Sequence, residues 1–96
     1  MQIMQKTKKE AEKIFQLSDV SKKFDIKKQN IFKVNLIIGG NSVRERLFNL
    51  GIKEGNIIEI LHLRKNGPCI ILVNDVKLII GVGMTKRIFV EPILRN

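Results

Sequence analysis

The sequence is poor in the residues that build metal centres and covalent cross-links. Its 96 residues include a single cysteine, Cys69, and a single histidine, His62. One cysteine excludes an internal disulfide, and a structural zinc site usually needs four cysteine or histidine ligands. We therefore expect no disulfide, no metal site formed by this chain alone, and no cofactor.

Aromatic residues and long apolar runs are also scarce. There are five phenylalanines and neither tyrosine nor tryptophan, whereas proteins that bind single-stranded nucleic acid stack bases on exposed rings. The longest apolar run, Cys69 to Val73, is far shorter than the roughly 18 residues that cross a bilayer. Charged residues between Lys6 and Lys13 stand where a secretory signal would be apolar. We expect a cytoplasmic protein.

Acidic residues are few relative to basic ones. Eighteen Lys and Arg against nine Asp and Glu give a net charge of +9 and an isoelectric point near 10.1. Such a balance favours an anionic partner, which could be nucleic acid, a membrane surface or an acidic protein. Because the basic residues are spread along the chain without a run of five, a basic solvated surface is the favoured interpretation.

Motifs for catalysis are missing too. The acidic residues are scattered, His62 has no carboxylate beside it, and neither a phosphate-binding loop nor a nucleophile elbow occurs. Gly81-Val82-Gly83 follows a predicted strand but lacks the third glycine and the long helix of a dinucleotide site. We predict that the chain is not an enzyme and has no catalytic residues.

The N-terminal segment has the pattern of an amphipathic helix over residues 3–17. Met4, Ala11, Ile14 and Phe15 recur at helical intervals, with Lys and Glu between them. A helix of this length is marginally stable alone, so its apolar stripe is expected to dock on the domain or on another chain. A homo-oligomer formed through this helix is one such arrangement.

The domain boundary is predicted near Leu17. Residues 1–17 form a helical extension in this interpretation, and residues 18–96 form the domain. Ser18 is a candidate N-cap at the start of the domain, and the Lys-rich residues 21–30 are predicted to be a loop.

The first strand of the domain is predicted over Ile31 to Ile38. Alternation places Phe32, Val34, Leu36 and Ile38 on one face of that strand. Two glycines follow and end it.

A two-turn helix is predicted over residues 42–50. Ser42 and Glu45 have the spacing of a capping box, and Gly51 is suited to the left-handed conformation that ends a helix. The start and stop signals thus occur in the expected order.

This helix carries the candidate partner-binding residues Arg44, Arg46, Leu47, Phe48 and Leu50. Arg44 and Arg46 are two positions apart and point in different directions. Leu47 and Leu50 are expected to face the core, whereas Phe48 is expected to be partly exposed. A solvated surface is the alternative interpretation of the two arginines.

The remaining chain is predicted to form short strands joined by turns. Asn66-Gly67 favours a type I′ hairpin, although Pro68 has no backbone N–H and indicates a loop longer than two residues. With a two-residue loop, His62 and Cys69 would be diagonal neighbours on one face, about 7–8 Å apart. Asn74-Asp75 is the second turn. The predicted elements are strands at 57–63, 69–73, 76–80 and 88–93 and a helical turn at 81–87.

These elements make the predicted fold mainly β. Five short strands with one helix between the first two favour a small barrel, because closure removes the exposed edges that short strands leave.

An ordered set of residues over about 30–93 resembles the FeoA family, which comprises the small ferrous iron transport protein A and a related domain at the end of some iron-dependent repressors. The set is Gly39-Gly40, Arg44-x-Arg46-Leu47-x-x-Leu50-Gly51, Gly55, Gly67-Pro68, Leu78-x-Ile80-Gly81 and Ile88-x-Val90. The resemblance implies an SH3-like barrel and an accessory binding protein whose partner is FeoB, a membrane transporter with a cytosolic GTPase region. Glu54 stands where the family often has proline.

Two other functions fit the same fold. Lys53 to Ile60 is similar to the entry to the strand in ribosomal KOW segments, which favours an SH3-like RNA-binding module, but the later glycines and the aromatic residues are missing. Nucleic acid is therefore an unlikely partner. The third interpretation is a detached C-terminal domain of a metal-dependent repressor, which requires a partner chain with the DNA-binding and metal-binding parts.

Overall fold

The computed structural model describes residues 13–93, which form six antiparallel strands and three short helices. The strands are β1 (Phe15–Gln16), β2 (Ile31–Ile37), β3 (Ile57–Leu63), β4 (Cys69–Val73), β5 (Val76–Ile80) and β6 (Ile88–Pro92). The helices are α1 (Val20–Lys23), α2 (Asn41–Asn49) and α3 (Val82–Thr85), and a 3₁₀ turn spans Leu17–Asp19. None of the helices in these residues is long and apolar enough to cross a membrane.

The strands form one sheet in the order β1-β6-β2-β3-β4-β5. Every neighbouring pair is antiparallel. The predicted mainly β, SH3-like fold with a short helix between its first two long strands is confirmed, and β1 adds a sixth strand to the predicted five.

The segment before Leu17 differs from the prediction. Phe15 pairs with Val90 of β6, and its ring lies edge-on against that of Phe24, with 5.4 Å between the centroids. Leu17 is fully buried. The predicted helix is therefore wrong over residues 13–17, because pairing with β6 and core packing outweigh a weak helical pattern. The rest of that predicted helix lies outside the described residues.

The predicted N-cap and the predicted loop after it also change. Ser18 lies inside the 3₁₀ turn, and neither that turn nor α1 has a side-chain cap. Residues 21–30 are partly helical, since α1 occupies their start. The carbonyl of Asp25 then accepts hydrogen bonds from the backbone N–H groups of Lys28 and Gln29, which makes a compact turn before β2.

The core lies inside the curved sheet and is apolar. It draws one or more residues from each of β2 to β6 and from α2. The buried members are Leu17, Val20, Phe32, Val34, Ile37, Leu47, Ile52, Ile58, Ile60, Cys69, Ile71, Val73, Ile80, Ile88 and Val90.

A β-bulge interrupts the alternation of β2. Val34 pairs with Val90 and Leu36 pairs with Phe89, so that one extra residue lies between them. Phe32 and Val34 are buried, as predicted, but Ile37 takes the next inward position, and Leu36 is exposed. The predicted face is thus wrong beyond Val34, because one extra residue turns every later side chain to the other side.

The type I′ geometry occurs at the second turn and not at the first. Asn74 and Asp75 join β4 to β5 with φ of 50° and 66°, the positive values that a type I′ turn requires at both positions. The loop between β3 and β4 is longer than two residues, as Pro68 indicated, because Leu63 pairs with Cys69. Asn66 has φ of 56° there, but Gly67 has no positive φ, so the predicted type I′ turn at Asn66-Gly67 is wrong.

Candidate partner-binding surface

The C-terminal end of α2 is fixed by a Schellman motif. The N–H of Gly51 donates to the carbonyl of Phe48, and the N–H of Ile52 donates to the carbonyl of Leu47, both at 2.9 Å. Gly51 has φ of +90°, which only glycine adopts at low cost. The predicted helix stop at Gly51 is confirmed.

This motif decides which leucine of α2 is buried. A Schellman motif brings together the residue after its glycine and the residue three positions before the helix end, which here are Ile52 and Leu47. Leu47 is 1% exposed and Ile52 is equally buried, whereas Leu50 is 45% exposed. The prediction that Leu47 faces the core is confirmed, and the same prediction for Leu50 is wrong because the helix has ended there.

Ile52 was missed by the sequence reasoning, although a signal for it exists. An apolar residue directly after a helix-ending glycine is the usual companion of a Schellman motif. That rule would have predicted Ile52 in the core.

The helix begins one residue earlier than predicted. Asn41 is its first residue and Gly40 its N-cap, without a side-chain hydrogen bond. The carbonyl of Gly40 accepts hydrogen bonds from Val43 and Arg44. The predicted capping box of Ser42 and Glu45 is therefore wrong, since Ser42 already lies in the first turn.

Arg44 links α2 to the barrel. Its guanidinium donates a 2.7 Å hydrogen bond to the carbonyl of Ile37 at the end of β2. It also forms an ion pair and hydrogen bond with the carboxylate of Glu54. Arg44 thus orients the helix on the sheet, and Glu54 is its counter-ion.

The exposed residues of α2 and of the turn after it include large apolar and basic side chains. Phe48 is 60% exposed, as predicted, and the ammonium of Lys53 lies 5.9 Å from the centroid of its ring. Arg46 is exposed as well. We call Arg44, Arg46, Phe48, Leu50 and Lys53 the helix surface. Leu47 is buried beneath it and supports it from the core.

A small cavity of about 250 Å³ lies beside Phe48. Small-molecule sites usually have about 300–1,000 Å³, so its size suits one or two side chains of a protein partner. Its walls carry charges of both signs. They are formed by Ile37, Arg44, Glu45, Phe48, Ile52, Lys53 and Glu54.

Cys69 is buried and His62 is exposed, so the two side chains do not form a common site. Burial raises the pKa of the Cys69 thiol from 9.0 to about 12, so the thiol stays protonated at neutral pH. His62 is exposed and pairs with Ile70, while Cys69 pairs with Leu63. The expected diagonal arrangement is wrong because the loop is long and the register shifts before His62. Among residues 13–93, no group of three or more His, Cys, Asp or Glu could hold a metal ion.

A family model described as FeoA domain matches residues 25–92 of the chain. The chain belongs to the FeoA family. The resemblance predicted over residues 30–93 is therefore confirmed. The family is linked to ferrous iron transport and consists of small accessory domains rather than known enzymes. A search of curated proteins gave no significant match.

Solved structures share this fold. An iron uptake regulatory protein (FeoA) superposes with a TM-score of 0.70 at 29% identity, covering 83% of this chain and 99% of that one. FeoA from Chlorobium tepidum gives a TM-score of 0.66 at 20% identity, covering 85% and 73% of the two chains. The manganese regulator SloR gives 0.61 at 12% identity, covering 68% of this chain and 31% of SloR. The last two show similarity of fold alone.

Proposed function

We propose that the chain is a non-enzymatic, cytoplasmic accessory protein of ferrous iron transport that binds and modulates the cytosolic part of a FeoB-like transporter. Membership of the FeoA family supports the link to iron transport. The helix surface supports protein binding. This FeoA-family chain would act through contact and not through chemistry on a substrate.

The observation that carries the proposal is the exposure of Phe48 on a helix with its opposite side in the core. Aromatic side chains and arginine are enriched in protein interfaces, where a few such residues contribute most of the binding energy. The ammonium of Lys53 lies over the ring, while Arg46 and Leu50 are exposed near the same end of the helix. The neighbouring cavity can accept a side chain from the partner.

The effect on the transporter's activity depends on which of its conformations binds the helix surface more tightly. A partner that covers Phe48 and Leu50 gains from removing their apolar surface from water, and it changes its own conformational equilibrium only if one state fits the helix surface better. We therefore expect binding to alter the GTPase rate or the assembly of the transporter rather than to supply a catalytic group.

The experiment compares Phe48→Ser with a matched control, Val76→Ser, which removes a similarly exposed apolar residue from β5. Binding to the purified cytosolic region of a FeoB-like protein is measured by calorimetry, and its GTPase rate is followed in parallel. We expect Phe48→Ser to weaken binding at least about tenfold and Val76→Ser to leave it unchanged. Equal affinities for all three proteins would contradict the proposal.

The salt dependence of the same binding separates it from phosphate recognition. Contacts to nucleic-acid phosphates weaken steeply between about 50 and 200 mM salt, whereas a mainly apolar contact around Phe48 weakens little. A steep loss, together with binding to RNA, would favour the RNA-binding alternative.

The similarity to SloR favours a second candidate, a domain that works with a metal-dependent repressor. This candidate requires a partner chain that supplies DNA binding and metal binding. If the chain bound such a repressor protein and not the transporter region, the second candidate would replace the first.

A further inference from the structure

A second apolar surface lies on the outer face of β3, β4 and β5. It surrounds a cavity of about 560 Å³, more than twice the volume beside α2, and shares no wall residue with it. Its apolar floor is formed by Leu61, Pro68, Ile70 and Ile79. We call this cavity the sheet groove.

Strand register explains why these apolar side chains meet outside the core. Ile79 pairs with Ile70, and Ile70 pairs with His62, so the three side chains form one row across the sheet. Leu61 lies at the register shift between Ile60 and His62. The bulge leaves it outside the ladder and exposed. Ile79 is 73% exposed, the highest value among the large apolar residues in the described part of the chain.

The rim of the sheet groove is basic. His62, Arg64 and Lys77 line it, and none of the described residues in its wall is acidic. Arg64 donates a 3.3 Å hydrogen bond to Nε2 of His62, which keeps these two side chains together. Arg64 also lines a polar cavity of about 170 Å³ whose other charged wall residues are Lys22, Lys65, Lys86 and Asp19. Because four of these five charges are positive, a net positive charge continues past the end of the groove.

The groove lies against a strand edge without a neighbour. Within residues 13–93, β5 is last in the strand order and pairs only with β4. The two-residue turn makes Val73 and Val76 a hydrogen-bonded pair, and such pairs alternate along the ladder. Lys77 and Ile79 therefore direct their backbone N–H and C=O groups away from β4, while their side chains face the groove.

We propose that the sheet groove and the edge of β5 dock an extended segment of a partner protein that carries an apolar and an acidic side chain two residues apart. The segment adds a strand to β5. Its apolar side chain lies opposite Ile79 and its carboxylate opposite Lys77, as cross-strand pairs. Residues two apart share one face of a strand, which fixes the spacing.

Other occupants fit these observations less well. A second copy of this chain would bring a second basic rim against the first, and each chain carries a net charge of +9. Nucleic acid would match the rim, but the walls of the groove contain no aromatic ring on which a base could stack. An acidic and apolar peptide satisfies both the floor and the rim.

The test uses the full chain labelled with ¹⁵N and a capped octapeptide. The peptide has the sequence Thr-Val-Thr-Glu-Thr-Val-Thr-Glu, in which valine and glutamate are two residues apart. A second peptide with lysine in place of glutamate is the control. We expect the first peptide to slow hydrogen exchange at the amides of Lys77 and Ile79, which face away from β4. The amide of Leu78 already pairs with Ile71 of β4, and its exchange is expected to stay unchanged.

Variants locate the site. We expect Ile79→Ser and Lys77→Gln each to weaken peptide binding at least about fivefold. Val76→Ser, on the same strand but with its side chain on the other face, is expected to bind as the unmodified chain does. All three positions are exposed, so the variants are expected to fold.

Four results would overturn the proposal. They are unchanged exchange at Lys77 and Ile79, equal binding of the lysine peptide, displacement of the peptide by an oligothymidylate, and self-association of the chain that Ile79→Ser abolishes. The assay contains no transporter. Its failure is therefore distinct from a failure of the helix surface to bind the FeoB-like region.

Discussion

Replacing Leu47 and Leu50 separately by alanine tests the account of α2 most directly. Leu47 is 1% exposed and Leu50 is 45% exposed. Leu→Ala at a fully buried site costs about 2–5 kcal/mol, because lost transfer energy and a residual cavity add. At Leu50 about half of the transfer energy is at stake and no enclosed cavity forms, so we expect a loss of about 1 kcal/mol.

The expected loss at Leu47 is large for a domain of this size. Stabilities of about 0.05–0.15 kcal/mol per residue imply roughly 5–14 kcal/mol for 96 residues. Leu47→Ala therefore removes a substantial fraction of the free energy of unfolding. It also removes the partner of Ile52 across the Schellman motif.

Urea denaturation followed by far-ultraviolet circular dichroism measures both variants, since the chain has no tryptophan or tyrosine to report by fluorescence. A slope of about 1–3 kcal/mol per molar urea converts the loss of about 2–5 kcal/mol at Leu47 into a midpoint shift between about 0.7 and 5 M. Equal shifts for the two variants, or a larger one for Leu50→Ala, would refute the assignment of Leu47 to the core.

Two further predictions concern Gly51 and Cys69. We expect Gly51→Ala to destabilise the chain by about 1 kcal/mol or more because of its φ of +90°. The control Gly83→Ala, in α3 with open space around it, is expected to be neutral or slightly stabilising. Thermal unfolding compares the two variants, and equal melting temperatures would contradict this prediction. Because burial raises the pKa of Cys69 to about 12, the folded chain binds this proton more tightly than the unfolded chain, so the corresponding stability is full below about pH 9 and falls as the pH rises toward 12. Cys69→Ala is expected to flatten the alkaline fall seen in urea titrations at several pH values, and an unchanged fall would exclude Cys69 as its source.

The long strands and the position of α2 could be predicted because their signals are local. Alternating apolar residues in β2, and short apolar segments between turns in β3 to β6, place the strands within a few residues of their bounds. Gly51 marks the helix end by a backbone requirement that few other residues meet. Family resemblance added the SH3-like fold, which strand patterns alone leave as one barrel among several.

The misplaced details depend on contacts between distant parts of the chain. The bulge after Val34 is set by pairing with β6, and Phe15 is part of β1 because it pairs with Val90 of β6. Neither partner is visible from neighbouring residues. Leu50 is different, because its exposure could have been predicted locally. The Schellman motif at Gly51 places Ile52 in the core, whereas the helical spacing of Leu47 and Leu50 favoured Leu50.

The two candidate surfaces also differ in whether local sequence signals could predict them. Exposure of Phe48 on α2 was predicted from helix geometry. The sheet groove was not, because Leu61, Ile70 and Ile79 come from three strands whose register is fixed by a bulge and by two turns. Only the folded sheet brings them together.

The Schellman motif has a consequence for how α2 meets a partner. Phe48 and Leu47 are adjacent, and each of their carbonyls accepts a hydrogen bond from the segment that enters the core. The backbone that carries the exposed ring cannot shift far without disturbing the buried Leu47 next to it. A partner therefore meets a helix end whose backbone is already fixed, and little backbone conformational entropy remains to be lost on association.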